Sequence, residues 1–148
     1  MKRAVFLDRD GVLNRLVLNP ATGLYEPPHS PEDLIFFPGV VESLLRLTDA
    51  GFVLFLVSNQ PDYAKGKATL ESIRAVHARF DHFLTSNAVH FQEYYYCHHH
   101  PEGIVPEYSG TCICRKPSPY FLVRAASDHR ISLERSWMVG DRDTDIEC

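Results

Sequence analysis

The chain has 148 residues, 45% of them hydrophobic and 23% charged; at the roughly 100 to 200 residues of an ordinary domain, that is room for one compact domain and not two. So much apolar content beside a net charge of only -4 excludes intrinsic disorder. Acidic residues outnumber basic ones 19 to 15 without a basic stripe, which argues against nucleic acid as a partner.

The start, Met1-Lys2-Arg3-Ala4-Val5-Phe6-Leu7-Asp8, meets a charge too early for a secretory signal, and no apolar run in the chain approaches the ~18 residues of a membrane span. The expectation is a cytoplasmic protein with no membrane partner. Ala4–Leu7 and Phe52–Val57 are short, continuously apolar runs rich in β-branched and aromatic residues, the pattern of strands buried on both faces of a parallel sheet; Trp137–Val139 reads as another. Between the first two, Val40, Val41, Leu44, Leu45 and Leu47 recur at helical spacing, and Gly51 supplies a stop. Leu70, Ile73, Val76, Phe80, Phe83 and Leu84 mark a second amphipathic helix. Val89–Tyr96 reads as a strand whose tyrosines flank a sheet, and a third helix starts near Pro117-Ser118-Pro119. The Pro-rich, polar stretch from Asn14 to Pro38 reads as one long loop over the site. Alternating strands and helices predict an α/β fold: a Rossmann-like, mostly parallel sheet with helices on both faces, its ligands outside the carboxyl ends of the strands.

The residues at those ends carry the chemistry. Asp8-Arg9-Asp10-Gly11 follows the first strand, and Asp141 follows the Trp137 strand in Gly140-Asp141-Arg142-Asp143-Thr144-Asp145. If the two strands are neighbours, Asp8 and Asp141 form a hard oxygen site suited to Mg²⁺. Ser58-Asn59-Gln60 offers a hydroxyl and two amides to phosphate oxygens, and Arg115-Lys116 offers cations for the charge of phosphoryl transfer. Asp8 would then attack phosphorus, while Asp10 would protonate the leaving oxygen and later activate water.

This ordered set resembles the haloacid dehalogenase (HAD) superfamily of aspartate-nucleophile phosphohydrolases. Asp8-Arg9-Asp10-Gly11-Val12-Leu13-Asn14, Ser58-Asn59-Gln60, Cys114-Arg115-Lys116-Pro117 and Gly140-Asp141-Arg142-x-x-Asp145 are similar to the subgroup that contains heptose bisphosphate and histidinol-phosphate phosphatases. The resemblance implies a Mg²⁺-dependent phosphomonoesterase acting on a small phosphorylated metabolite. D-glycero-D-manno-heptose 1,7-bisphosphate is the leading substrate; histidinol phosphate, or a catalytically inactive zinc-stapled binding module, is the alternative. It also implies Asp8 as nucleophile, Asp10 as acid/base with its backbone carbonyl on Mg²⁺ and its carboxyl free, Ser58 and Lys116 on the phosphate, and Asp141 as metal ligand. The sequence departs from the pattern at Pro61-Asp62-Tyr63-Ala64-Lys65-Gly66, where Asp62 adds a negative charge near the phosphate site and Lys65 replaces a planar arginine fork. Similar chains continue for about one helix and one strand past the Gly-Asp motif, so residues 1–148 are expected to form a single domain lacking those elements. The oligomeric state stays open, with a monomer as the default.

Cys97-His98-His99-His100 and Cys112-Ile113-Cys114 present clustered thiols and imidazoles, which in a reducing compartment suggest Zn²⁺ before a disulfide. Three cysteines and one histidine close a tetrahedral structural site. His99 is favoured by the alternation and by family position, with His98 or His100 as substitutes. Arg115-Lys116 comes directly after the last ligand, so the zinc loop is expected to fix where these cations point.

Overall fold

The computed structural model describes all 148 residues. Its main sheet has four strands in the order β5-β4-β1-β6, all parallel: β1 (Arg3–Leu7), β4 (Phe52–Asn59), β5 (Glu93–Cys97) and β6 (Trp137–Val139). Helices α1 (Val40–Asp49), α2 (Leu70–Ser86), α3 (Tyr120–His129) and the short α4 (Asp143–Ile146) complete the layers. Two further strands, β2 (Val17–Asn19) and β3 (Leu24–Glu26), make a separate antiparallel hairpin.

The period of two along β1 explains why both faces of the sheet are covered. Val5 and Leu7 join Leu54 and Leu56 of β4 on one face, against Val40 and Leu44 of α1 and Val76, Phe80 and Leu84 of α2. Ala4 and Phe6 join Phe55 and Val57 on the other, against Phe121, Leu122 and Ala125 of α3 and Ile131. With alternate residues claimed by opposite layers, every position of the strand must be apolar, and the continuous run Ala4–Leu7 satisfies that. Thr69 starts α2 by accepting a hydrogen bond from the Ser72 amide at 3.0 Å.

Three expectations need correction. Trp137–Val139 is a strand but not one buried on both faces: β6 is the sheet edge, and Trp137 is 67% exposed. The stretch 14–38 is not one loop, because β2, β3 and a 3-10 turn at Pro31–Asp33 punctuate it; their short strands carry no long alternating pattern to announce them. The strand expected from Val89 begins at Glu93, since Ala88 (φ 60) and Val89 belong to the turn that ends α2.

Register brings the strand ends together. Leu7 pairs with Leu56 and with Val139, and Asn59 pairs with Cys97. Asp8, Ser58, Cys97 and Gly140 therefore emerge on one edge of the sheet.

Candidate active site

At that edge lies a polar cavity of about 270 Å³. Asp8 and Asp10 line it together with Asn59, Arg115, Lys116 and Asp145, and the hairpin contributes Tyr25 and Glu26. Asp8 continues β1, its amide donating to the Val139 carbonyl at 3.0 Å. The carboxylates of Asp8, Asp141 and Asp145 place one oxygen each within 4.8 Å of one another, so residues from both ends of the chain share one site. Gly11 makes the approach possible: its φ of +85° is a left-handed conformation, and a Cβ there would overlap the Asp141 carboxylate. A trio of hard oxygens at this separation fits a small divalent cation such as Mg²⁺.

Lys116, 3% exposed, sits among these acids. Its ammonium lies 3.1 Å from Asp8 Oδ1, forms an ion pair with Asp145 Oδ1 and donates to the Val57 carbonyl at 2.8 Å. Burial pushes the Asp8 carboxyl up to about 6; the Lys116 charge opposes the rise and the Asp145 charge adds to it. A cation bound beside Asp8 would reverse that effect. Asp145, which the motif reading gave no role, joins the other acids here; its place in the Gly140-Asp141-x-x-x-Asp145 spacing is the sequence signal for it.

The residues at the end of β4 and just after it behave differently from a simple phosphate cradle. Asn59 uses its amide on the backbone of Lys116, accepting from its N–H at 3.1 Å and donating to its carbonyl at 3.3 Å. Ser58 is buried, and its Oγ accepts from Gln60 Nε2 at 2.9 Å. Gln60, read from sequence as a phosphate amide, faces inward to Arg9 and Asp10. The Asp10 carboxyl is not free, because it accepts hydrogen bonds from Arg9, Asn14 and Gln60. Arg9 and Asn14 stood in plain view inside the Asp8–Asn14 motif, but spacing alone cannot tell an inward side chain from a solvated one.

At the cavity mouth, Asp62 is 2.6 Å from His29 Nε2, and Lys67 donates to Glu26 Oε1 at 3.0 Å. These pairs tie the segment carrying the hairpin to the loop after β4. The Asp62 carboxylate thus already has a hydrogen-bond partner.

The second cluster gathers Cys97, His99, Cys112 and Cys114, with ligand atoms within 4.8 Å of one another. Sulfur–sulfur distances are 3.0, 3.6 and 3.7 Å, and His99 Nδ1 lies 3.8 Å from Cys97 Sγ and 3.7 Å from Cys114 Sγ. A tetrahedral Zn²⁺ with Zn–S near 2.3 Å has edges of about 3.8 Å, so the donor set and most of its spacings fit. Among the three neighbouring histidines, His99 is the one that joins the thiols; His100 Nδ1 instead accepts from the Glu102 amide at 3.0 Å. Arg115 Nη1 donates to the His99 carbonyl at 3.3 Å, which links the cluster to the cavity wall.

A parallel sheet with acids and a lysine gathered at its carboxyl edge is the architecture of the HAD-type hydrolases, and the HAD-hydrolase-like family model matches residues 113–148. A D-glycero-β-D-manno-heptose-1,7-bisphosphate 7-phosphatase of Yersinia pestis is 36% identical over 145 residues, covering 98% of this chain and 73% of the relative. A D-glycero-D-manno-heptose-1,7-bisphosphate 7-phosphatase of Thermosynechococcus vestitus is 42% identical over 148 residues, covering 97% of this chain and 71% of the relative. Among solved structures, a D,D-heptose 1,7-bisphosphate phosphatase from B. bronchiseptica, complexed with magnesium and phosphate, superposes with a TM-score of 0.79 at 28% identity, covering 98% of this chain and 73% of that one. The chain belongs to the HAD superfamily, in the family of the heptose-1,7-bisphosphate 7-phosphatases, and is a phosphatase.

Proposed function

We propose that the protein is a Mg²⁺-dependent phosphomonoesterase that removes the 7-phosphate of D-glycero-D-manno-heptose 1,7-bisphosphate through an aspartyl-phosphate on Asp8. The observation that carries the reading is the meeting of the Asp8, Asp141 and Asp145 carboxylates with Lys116 at the cavity that Asp8, Asp10, Lys116 and Asp145 line, in a chain 36% and 42% identical to 7-phosphatases.

Asp8 attacks phosphorus in line, its Oδ–P bond forming as the bond to the leaving oxygen breaks. Asp10 gives that oxygen a proton and then takes one from the water that cleaves the acyl phosphate. Lys116 turns its charge toward the phosphoryl oxygens, and Arg115 adds a second cation from the wall. Asn59 acts by fixing the Lys116 backbone, and Ser58 supports the amide of Gln60 from below while its hydroxyl proton stays available for a phosphate oxygen. Asp8, Asp141 and the Asp10 backbone carbonyl would hold Mg²⁺, which neutralises charge between an anionic nucleophile and an anionic substrate. Cys97, His99, Cys112 and Cys114 would hold Zn²⁺ as a closed structural site that supports Arg115.

Phosphate release from the heptose bisphosphate in the presence of Mg²⁺ tests this. Wild-type protein turns the substrate over with a specificity constant well above that for histidinol phosphate, and Asp8→Asn loses about 10³-fold or more. Unchanged turnover by Asp8→Asn would refute the role of Asp8.

A further inference from the structure

Arg9 is the largest of the fully buried side chains, 1% exposed, and Asp10 is the acid with which it pairs. Its guanidinium spans the Asp10 carboxylate, Nε donating to Oδ1 at 3.1 Å and Nη2 to Oδ2 at 3.2 Å. The same Nη2 donates to Gln60 Oε1 at 3.0 Å. With its oxygen held by Arg9, the Gln60 amide turns its nitrogen to Asp10 Oδ2, while Asn14 Nδ2 donates to Oδ1 at 2.9 Å. Each Asp10 oxygen therefore accepts two N–H bonds, the full capacity of a carboxylate. Arg9 itself does not line the cavity; it lies over the Tyr96 ring, 5.7 Å from its centroid, and the Tyr96 hydroxyl pairs with His77 Nδ1 at 2.8 Å. A charge this deep is costly unless its partner is fixed, and it cannot reach a substrate.

We infer that Arg9 is a positioning residue that grips the Asp10 carboxylate at both oxygens in the orientation from which Asp10 takes the proton of the hydrolytic water. The inference rests on the roles of Asp8 and Asp10 proposed above. In this step the water oxygen bonds to phosphorus while the Asp8 Oδ–P bond breaks, its electron pair returning to the Asp8 carboxylate, and the water proton passes to an Asp10 oxygen. That oxygen must release one donor. Two are free to go: Asn14 Nδ2 also reaches the Arg15 carbonyl at 3.2 Å, and Gln60 Nε2 also reaches Ser58 Oγ at 2.9 Å. Arg9 keeps its grip meanwhile, and its planar fork makes the grip orientational, as a lysine point charge cannot.

The test uses 4-nitrophenyl phosphate with Mg²⁺, because 4-nitrophenolate departs without a proton and isolates the second half of the reaction. Arg9→Lys is expected to release a rapid burst of one nitrophenolate per active site, to accumulate acid-stable phosphate on Asp8, and then to turn over about 10²-fold more slowly than wild type with KM nearly unchanged. Gln60→Leu, which removes one brace and leaves the buried charge paired, is expected to show the same burst with a smaller loss, and it decides the matter if Arg9→Lys fails to fold by circular dichroism. Steady-state loss with neither burst nor phosphoenzyme, or a rate within threefold of wild type in the folded variants, overturns the role of Arg9. A wild-type protein inactive on both this ester and the heptose bisphosphate overturns the phosphatase reading instead.

Discussion

As the proposed nucleophile, Asp8 carries two burdens that pull in opposite directions, because a nucleophile must be ionised and its side chain is buried. Burial moves its carboxyl from the ordinary 3.8 to about 6, so without metal the folded state favours the protonated form more than the unfolded chain does. The stability this gives is whole below pH ~4 and is lost as pH rises through ~6, by up to about 3 kcal/mol. In protein dialysed free of Mg²⁺, the melting temperature of wild type should therefore fall relative to Asp8→Asn between pH 4 and pH 7, and Mg²⁺ should close the gap at pH 7. A difference between the two proteins that does not vary with pH would count against this account. Residue identities made Asp8, Asp10, Asp141 and the three cysteines legible, since each stood at a strand end or in a metal-like spacing. Direction was not legible: Gln60 and Arg9 are as polar as any surface residue, and their inward turn depends on Asp10 being there to receive them.

At the scale of elements, the turn from β6 into α4 depends on Gly140. A Cβ at that position would fall inside the Asp145 side chain, and Asp145 is 1% exposed, with its Oδ2 accepting from the Arg142 amide at 3.1 Å. Gly140→Ala should cost about 1–3 kcal/mol in urea unfolding and weaken the Mg²⁺ midpoint, because Asp145 can move only by letting go of Lys116. Equal stability and an unchanged midpoint would show that the turn yields without cost. The helices α1 and α2 were legible from their 3.6-residue apolar spacing, and β1 and β4 from their unbroken apolar runs. The hairpin was not, as three-residue strands show too little alternation, and the edge position of β6 follows from sheet order, which no single strand encodes.

Across the whole molecule, two clusters of metal-ligand type share one sheet edge and are joined by a short route. Cys97 pairs in register with Asn59, the Asn59 amide brackets the Lys116 backbone, and Arg115 bonds the His99 carbonyl. Elemental analysis should find about one zinc per chain, and Cys112→Ser should lose it and raise KM about tenfold, with a smaller change in kcat, since the cations proposed to meet substrate lose their anchor while Asp8 and Asp10 keep theirs. Full zinc occupancy in that variant would refute the ligand set.

Lys116 has a consequence for how the protein is put together. Standing between Asp8 and Asp145, it serves as a built-in counter-ion, so a newly made polypeptide need not meet magnesium before this edge can close. No such lysine stands among the donors of the Cys97, His99, Cys112 and Cys114 cluster. In the proposed enzyme a closed zinc site would keep its ion, whereas magnesium at the lysine-balanced edge would exchange with the supply around it.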